Sequence, residues 1–194
     1  MNEMKKIFTA FISFTICCNL NSQIISNSEV GFDCFFGASN QGGSLGLGIK
    51  YGIKSPSNEN FIFGPSFRLM RYWSNAYLTN YSGHVNIIGG GIFAHYRIQN
   101  VLFIGAETEL LKNPNAIVNN NIQTKWTPNF FVGGGFSKEY NEKIRLNVGV
   151  FYDVINDKNS PFRTSYIMKK TDPITHAITG YIPVIYRIAL FIKL

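Results

Sequence analysis

The stretch Lys143–Ile155, KIRLNVGVFYDVI, carries apolar side chains at Ile144, Leu146, Val148, Val150, Tyr152 and Val154. Between them stand Lys143, Arg145, Asn147, Gly149, Phe151 and Asp153. Apolar residues at every second position mark a β-strand with two unlike faces. A soluble barrel turns its apolar face inward, whereas a membrane barrel turns it outward. Which face is outside therefore decides the fold.

Seven further segments alternate in the same way: about 29–38, 43–54, 60–73, 84–98, 100–112, 125–140 and 181–194. Most reach the ~9–11 residues that a tilted strand needs to cross a bilayer, whereas globular strands run nearer five or six. The connections after strands two, four and six are short (SPSNE, QN, NE), and those after three, five and seven are long (about 74–83, 113–124 and 156–180). Short turns at one end and long loops at the other predict an all-β, closed, antiparallel up-and-down eight-stranded transmembrane barrel with both termini at the short-turn end.

Composition agrees with that geometry. Of 194 residues, 15% are charged and 15% aromatic, against roughly 25% charged in ordinary soluble domains. Lys5 and Lys6 precede the apolar stretch IFTAFISFTICC (7–18), which is too short to span a bilayer and reads as an export signal. The division expected is a cleaved signal at 1–22 and a barrel domain at 23–194. A lipoprotein reading on Cys17 or Cys18 lacks the small residue expected before the cysteine. Cleavage changes the net charge from 18 − 11 = +7 to 16 − 10 = +6. Cys34 alone remains, so the mature chain forms no internal disulfide, and packing is its expected role.

The second face of the strands is a poor solvated surface. It mixes Gly, Ser, Asn and single charges with Phe35, Phe103, Phe131, Phe151 and Phe191, a composition suited to the side-chain-filled interior of a small barrel. The apolar parity holds Trp73, Trp126 and Tyr152 at one end, and Tyr51, Phe61, Tyr96 and Phe136 at the other. Two aromatic girdles around an apolar band are the mark of membrane interfaces.

These features together resemble the small eight-stranded outer-membrane barrels of Gram-negative bacteria, the OmpA/OmpX/OmpW-like, porin-like group. The resemblance covers 29–194 and implies a cell outer-membrane location with periplasmic termini. The family's last strand ends in an aromatic. Here YRIALFIKL has the alternation and Phe191 but ends in Leu194.

Eleven charged or titratable residues fall on the interior parity: Asp33, Lys50, Arg68, His95, Arg97, Glu107, Glu109, Glu139, Arg145, Asp153 and Arg187. Charges in a narrow barrel need partners, and the hairpin near 142 puts Arg145 across from Glu139. The core of the expected network is Arg145, Glu139, Glu107, Glu109, Arg68, Arg187 and Asp153. Glycines at 89–91 with Gly105, and at 133–135 with Gly149, form a repeat offset by 44 residues. The hairpins predict Gly91 opposite Gly105 and Gly135 opposite Gly149, making room for long side chains. No Lys-Ser/Thr or helix follows the glycines, so they are not phosphate loops.

The longest connection, 156–180, holds Lys158, Arg163, Lys169 and Lys170 against Asp157 and Asp172, a local charge of 4 − 2 = +2. Phe162, Arg163, Tyr166, Lys169 and Lys170 form a candidate contact patch for an extracellular polysaccharide or protein. The competing reading is a ligand-free hairpin extending strands seven and eight. Ser82, His84 and Glu109 raise an enzymatic alternative, a lipid-modifying hydrolase; ordinary rim residues explain them as well. No catalytic, cofactor, metal or nucleic-acid motif is present. The expected partners are outer-membrane lipid and lipopolysaccharide, and the expected state is a non-enzymatic monomer. Its role is structural or surface-interacting through the outer loops. A narrow porin-like channel for small solutes is the alternative.

Overall fold

The computed structural model describes residues 27–39, 42–74, 83–118, 121–173 and 178–194. The proposed signal at 1–22, Ser82 and most of the 74–83 loop lie outside them. Eight strands close the barrel: β1 (Ser28–Ser39), β2 (Gly42–Ser55), β3 (Asn58–Ser74), β4 (Gly83–Ile98), β5 (Leu102–Val118), β6 (Asn121–Glu139), β7 (Ile144–Asp153) and β10 (Val184–Lys193). Each pairs antiparallel with its chain neighbours, and β1 closes on β10. A short helix, Pro161–Ser165, and a hairpin of β8 (Met168–Thr171) and β9 (Ile178–Ile182) lie between β7 and β10.

The register fixes the shape of the wall. From Asp33 the pairs run Gly48, Arg68, Gly89, Leu111, Thr127 in one direction and Ala189, Asn147, Ser137 in the other. The two routes reach β6 ten residues apart (137 − 127 = 10), which is the stagger of the closed sheet. Eight strands with that stagger tilt by about 40° at ordinary strand spacings.

The parity read from the sequence is the parity of the wall. Phe35, Phe103, Phe131, Phe151 and Phe191 are buried inside, with Ile62, Phe93, Met70 and Leu111. Phe32, Leu47, Ile49, Leu69, Ile92, Ile104, Val132, Val150 and Ile188 stand exposed outside. Trp126, Tyr152, Tyr96 and Phe136 point outward and are exposed, while Trp73, Tyr51 and Phe61 share that face but are partly covered. Ideal geometry puts Trp73 and Trp126 at one height, roughly 25 Å above Phe61, Tyr96 and Phe136. Tyr152 ends the shorter β7 and sits roughly 10 Å below the two tryptophans on the same geometry.

Three boundaries differ from expectation. The predicted loop 113–124 is mostly strand, because β5 and β6 continue to pair as far as Val118–Asn121. A register shift between Asn113 and Ala116 absorbs Pro114, which has no N–H to give the ladder. Strand eight is interrupted at Pro183, which separates β9 from β10. The β4–β5 hairpin is offset too: Gln99 and Asn100 both take positive φ (50° and 57°), and Val101 is a third loop residue. Gly91 therefore opposes Glu109, and Gly105 opposes His95. Gly135 does oppose Gly149, and Glu139 opposes Arg145.

The seams are unequal. β1 and β10 share six register pairs, Glu29–Lys193 to Cys34–Ile188, against nine or more at every other seam of the described barrel. Beyond Cys34 the strands part, bridged by Tyr186, whose hydroxyl donates to the Phe36 carbonyl. The Pro183 carbonyl accepts from Asp153 of β7 at 2.7 Å, so the Val184 carbonyl points to the other edge, where Ile167 N donates to it at 2.9 Å. The loop after the short helix thus fills the place that β1 vacates.

Glycine substitutions separate close backbone approach from open space. A Cβ on Gly135 would lie 2.5 Å from the Gly149 Cα, whereas one on Gly37 would make only contacts of 3.6 Å or more. Gly135→Ala is expected to destabilise the refolded barrel by about 1–3 kcal/mol, and Gly37→Ala by less than about 0.5 kcal/mol. Urea unfolding midpoints would check both.

Candidate functional site

The interior is built in layers. At the end carrying the termini, Glu29 receives a two-pronged bond from Arg97 (2.9 and 2.6 Å) and pairs with Lys54 at 3.3 Å. Beside it Arg145 reaches Glu139 at 2.5 Å, Asn100 at 2.8 Å and Ser137 at 3.1 Å, and Lys193 pairs with Glu139 at 2.5 Å. Glu29 was not among the residues singled out from sequence, although it shares the interior parity with Asp33 and Phe35. Above lies an aromatic layer in which His95 contacts the rings of Phe93, Phe103, Phe151 and Phe191.

The central layer is ionic. Arg68 is held by two carboxylates, donating to Asp33 at 2.9 and 3.1 Å and to Glu109 at 2.8 and 2.7 Å. Lys50 bridges Asp33 (3.0 Å) and Glu107 (2.5 Å). Arg187 pairs with Glu107 and, at 3.0 Å, with Glu109. His95 Nε2 lies 2.8 Å from Glu107. Three cations face three anions with side chains almost fully buried. Such charges persist in a low dielectric only when each has well-placed partners.

The loop end is closed by the chain itself. Phe162, expected on an exposed contact patch, is fully buried; Tyr166 is 3% exposed. The Phe162 ring packs on Phe35 (5.3 Å between centroids) and edge-on against Phe131 (4.9 Å). The guanidinium groups of Arg68 (5.7 Å) and Arg187 (5.5 Å) also lie against this ring. Tyr166 donates its hydroxyl to Asp153 at 2.8 Å. Burial and the Asp153 carboxylate both hold this phenol well above its ordinary range, so it stays a donor.

Asn113 donates to the Asn159 carbonyl at 2.8 Å, Thr127 to the same oxygen at 3.4 Å, and Ser160 to Asn129; Ser44 and Ser165 bond to each other. Ser160 also caps the short helix, accepting from Phe162 N at 3.3 Å. The expected surface patch is therefore largely an internal plug. Its rings turn inward because the mouth is ringed by Phe35, Met70, Ile87, Leu111 and Phe131, and burying an aromatic there contributes more than leaving it in water. Arg163 is partly buried, and Lys169 and Lys170 lie on β8 opposite Tyr181 and Gly180. Nothing in the loop's sequence separates a ring that packs inward from one that faces a partner.

The triad alternative does not assemble. His84 is exposed at the outer parity of β4, whereas Glu109 is buried inside and bound to Arg68; Ser82 lies outside the described residues. Among the described residues, no group of three or more His, Cys, Asp or Glu side chains could hold a metal. Compared with known proteins, the chain matches no family model and no curated sequence.

Removing one partner separates the buried layer from the rim. Arg68→Met leaves Asp33 and Glu109 short of a buried cation and is expected to cost about 3–5 kcal/mol. Lys193→Met, at a side chain 28% exposed, is expected to cost less than about 1 kcal/mol. Equilibrium unfolding of both variants would test this ordering.

Proposed function

We propose that the protein is an integral outer-membrane barrel of a Gram-negative cell, monomeric and non-enzymatic, exported by cleavage after Ser22. Its termini lie in the periplasm, its lumen is closed, and its role is structural or interactive at the cell surface. One observation carries this reading: the wall is inside out for water. Every barrel strand presents exposed Leu, Ile, Val, Phe, Tyr or Trp outward while eleven charged or titratable side chains are buried inside. A continuous apolar belt far exceeds the few hundred Å² that soluble monomers usually tolerate in one patch. In lipid the same belt is the favourable surface.

The loop end supports the choice of leaflet. Arg71 and Lys112 point outward and are exposed, close below the level of Trp73 and Trp126. Cations at that height suit the phosphate groups of lipopolysaccharide. The surface role belongs to parts that project beyond the belt, the β5–β6 ribbon with exposed Ile122 and the β8–β9 hairpin. The plug and the ionic layer speak against the narrow pore, since side chains occupy the space that solutes would cross.

Two measurements test the reading. Outer-membrane fractions run unheated and heated on a gel should show a mobility shift; a protein found only in the soluble periplasm and showing no shift would end it. Leu47, exposed at mid-belt between the girdles, separates lipid from water. Leu47→Arg should cost about 2–4 kcal/mol in a bilayer. In a water-facing site the cost would be near zero.

A further inference from the structure

The plug sits where a ligand would. Phe162 lies in an apolar cup whose floor is made by Arg68 and Arg187. Arg187 is 2% exposed, and its bonds to Glu107 and Glu109 use Nη1 alone. Its Nε and Nη2 donate to no acceptor among the described residues. The guanidinium instead lies 4.4 Å from the Phe131 ring and 5.5 Å from Phe151. Buried donors without acceptors are costly, and an apolar pocket with a few convergent polar groups is the usual form of a small-molecule site.

The plug is also attached for removal. Polar side-chain bonds hold it, at Asn113, Thr127, Asn129, Asp153 and Ser44. Among the described residues one backbone bond, Ile167 to Val184, ties it to β10, on the edge that β1 leaves unpaired beyond Cys34. An outward swing through the parted β1–β10 seam breaks these bonds and the Tyr186–Phe36 bridge but no barrel ladder.

We propose that this cup is a binding site for an amphiphilic carboxylate, an acyl or aryl chain with one anionic head, and that the segment 159–167 is its internal placeholder. The chain replaces Phe162 between Phe35 and Phe131, and the carboxylate takes the unused Nε and Nη2 edge of Arg187. The donor geometry argues for a carboxylate: Nε and Nη2 form one edge that two oxygens of a planar anion meet together, whereas a cationic head would meet Arg68 and Arg187. The proposal goes beyond the structural role given above and requires the barrel only.

Thiol chemistry on the full chain tests it, with decanoate as the probe. In a background with Cys17, Cys18 and Cys34 all changed to alanine, Ser165→Cys places a buried thiol on the plug. A Cβ on Gly37 would lie 3.9 Å from the Ser165 Cβ, within disulfide range, so adding Gly37→Cys allows the plug to be locked. Decanoate should raise the maleimide labelling rate of Ser165→Cys by roughly tenfold, in a saturable manner, by favouring the open state. Decanol at equal concentration should not, and Arg187→Met should remove the response. A rate unchanged by decanoate, or raised equally by decanol, overturns the proposal. Should Arg187→Met fail to give the heat-dependent gel shift, the locked variant decides. Radiolabelled decanoate should bind after reduction but not in the oxidised form, and equal binding in both forms overturns the proposal. Loss of the gel shift in the parent protein would instead count against the barrel reading.

Discussion

Lys50, Arg68 and Arg187 meet Asp33, Glu107 and Glu109 in one buried layer, and the rest of the molecule is arranged around keeping that layer neutral. Six charges from five different strands cannot be paired locally. β1, β2, β3, β5 and β10 must all be in register before the last carboxylate finds its cation. A slip of one residue would turn every side chain of a strand to the other face, putting charge on the apolar outside and leaving partners unpaired within. The network thus specifies register far more strongly than it adds net stability, since buried pairs gain little over a well-packed apolar core of the same volume.

The glycines serve the same end. Eight strands enclose too little room for a large side chain from every strand at one level. His95 lies over Gly105, Phe103 over Gly149, Phe191 over Gly31 and Asp33 over Gly48. Each of these four side chains lies over a position with no Cβ. The Gly-rich face that makes a poor solvated surface is what lets the ionic and aromatic layers interleave.

Much of this was legible in the chain because period-two alternation is local and robust: Ile144 to Val154 alone separates the faces, and the β6–β7 turn gives the Arg145–Glu139 pair directly. What was not legible depends on backbone detail or on tertiary context. The β4–β5 register turns on two consecutive positive-φ residues, Gln99 and Asn100, and on counting Val101 as loop, choices that alternation cannot reveal. Pro114 reads as a breaker, yet a bulge carries the strand past it. Phe162 and Tyr166 read as a surface patch because long loops with aromatics often are one; only the apolar mouth, assembled from β1, β3, β4, β5 and β6, turns them inward. Glu29 was within reach, since its parity matches that of Asp33, but it stands at the first turn of β1, where a solvated end is the usual assumption.

The unequal seams follow from the same closure. With a stagger of ten, the wall is taller along β3 to β6 than along β7, β10 and β1, where β7 ends at Asp153 and β10 begins at Val184. The short side leaves the loop end of β1 without a partner on its β10 side and the interior open beneath it. The connection from β7 to β10 meets both needs. Its first part, Asn159–Tyr166, fills the mouth, and its second part, Ile167 onward, takes up the free edge of β10 and continues as the β8–β9 hairpin. A connection confined to bridging two adjacent strand ends needs only a few residues. The length of 156–180 is the consequence of a wall that is too short on one side to close its own mouth.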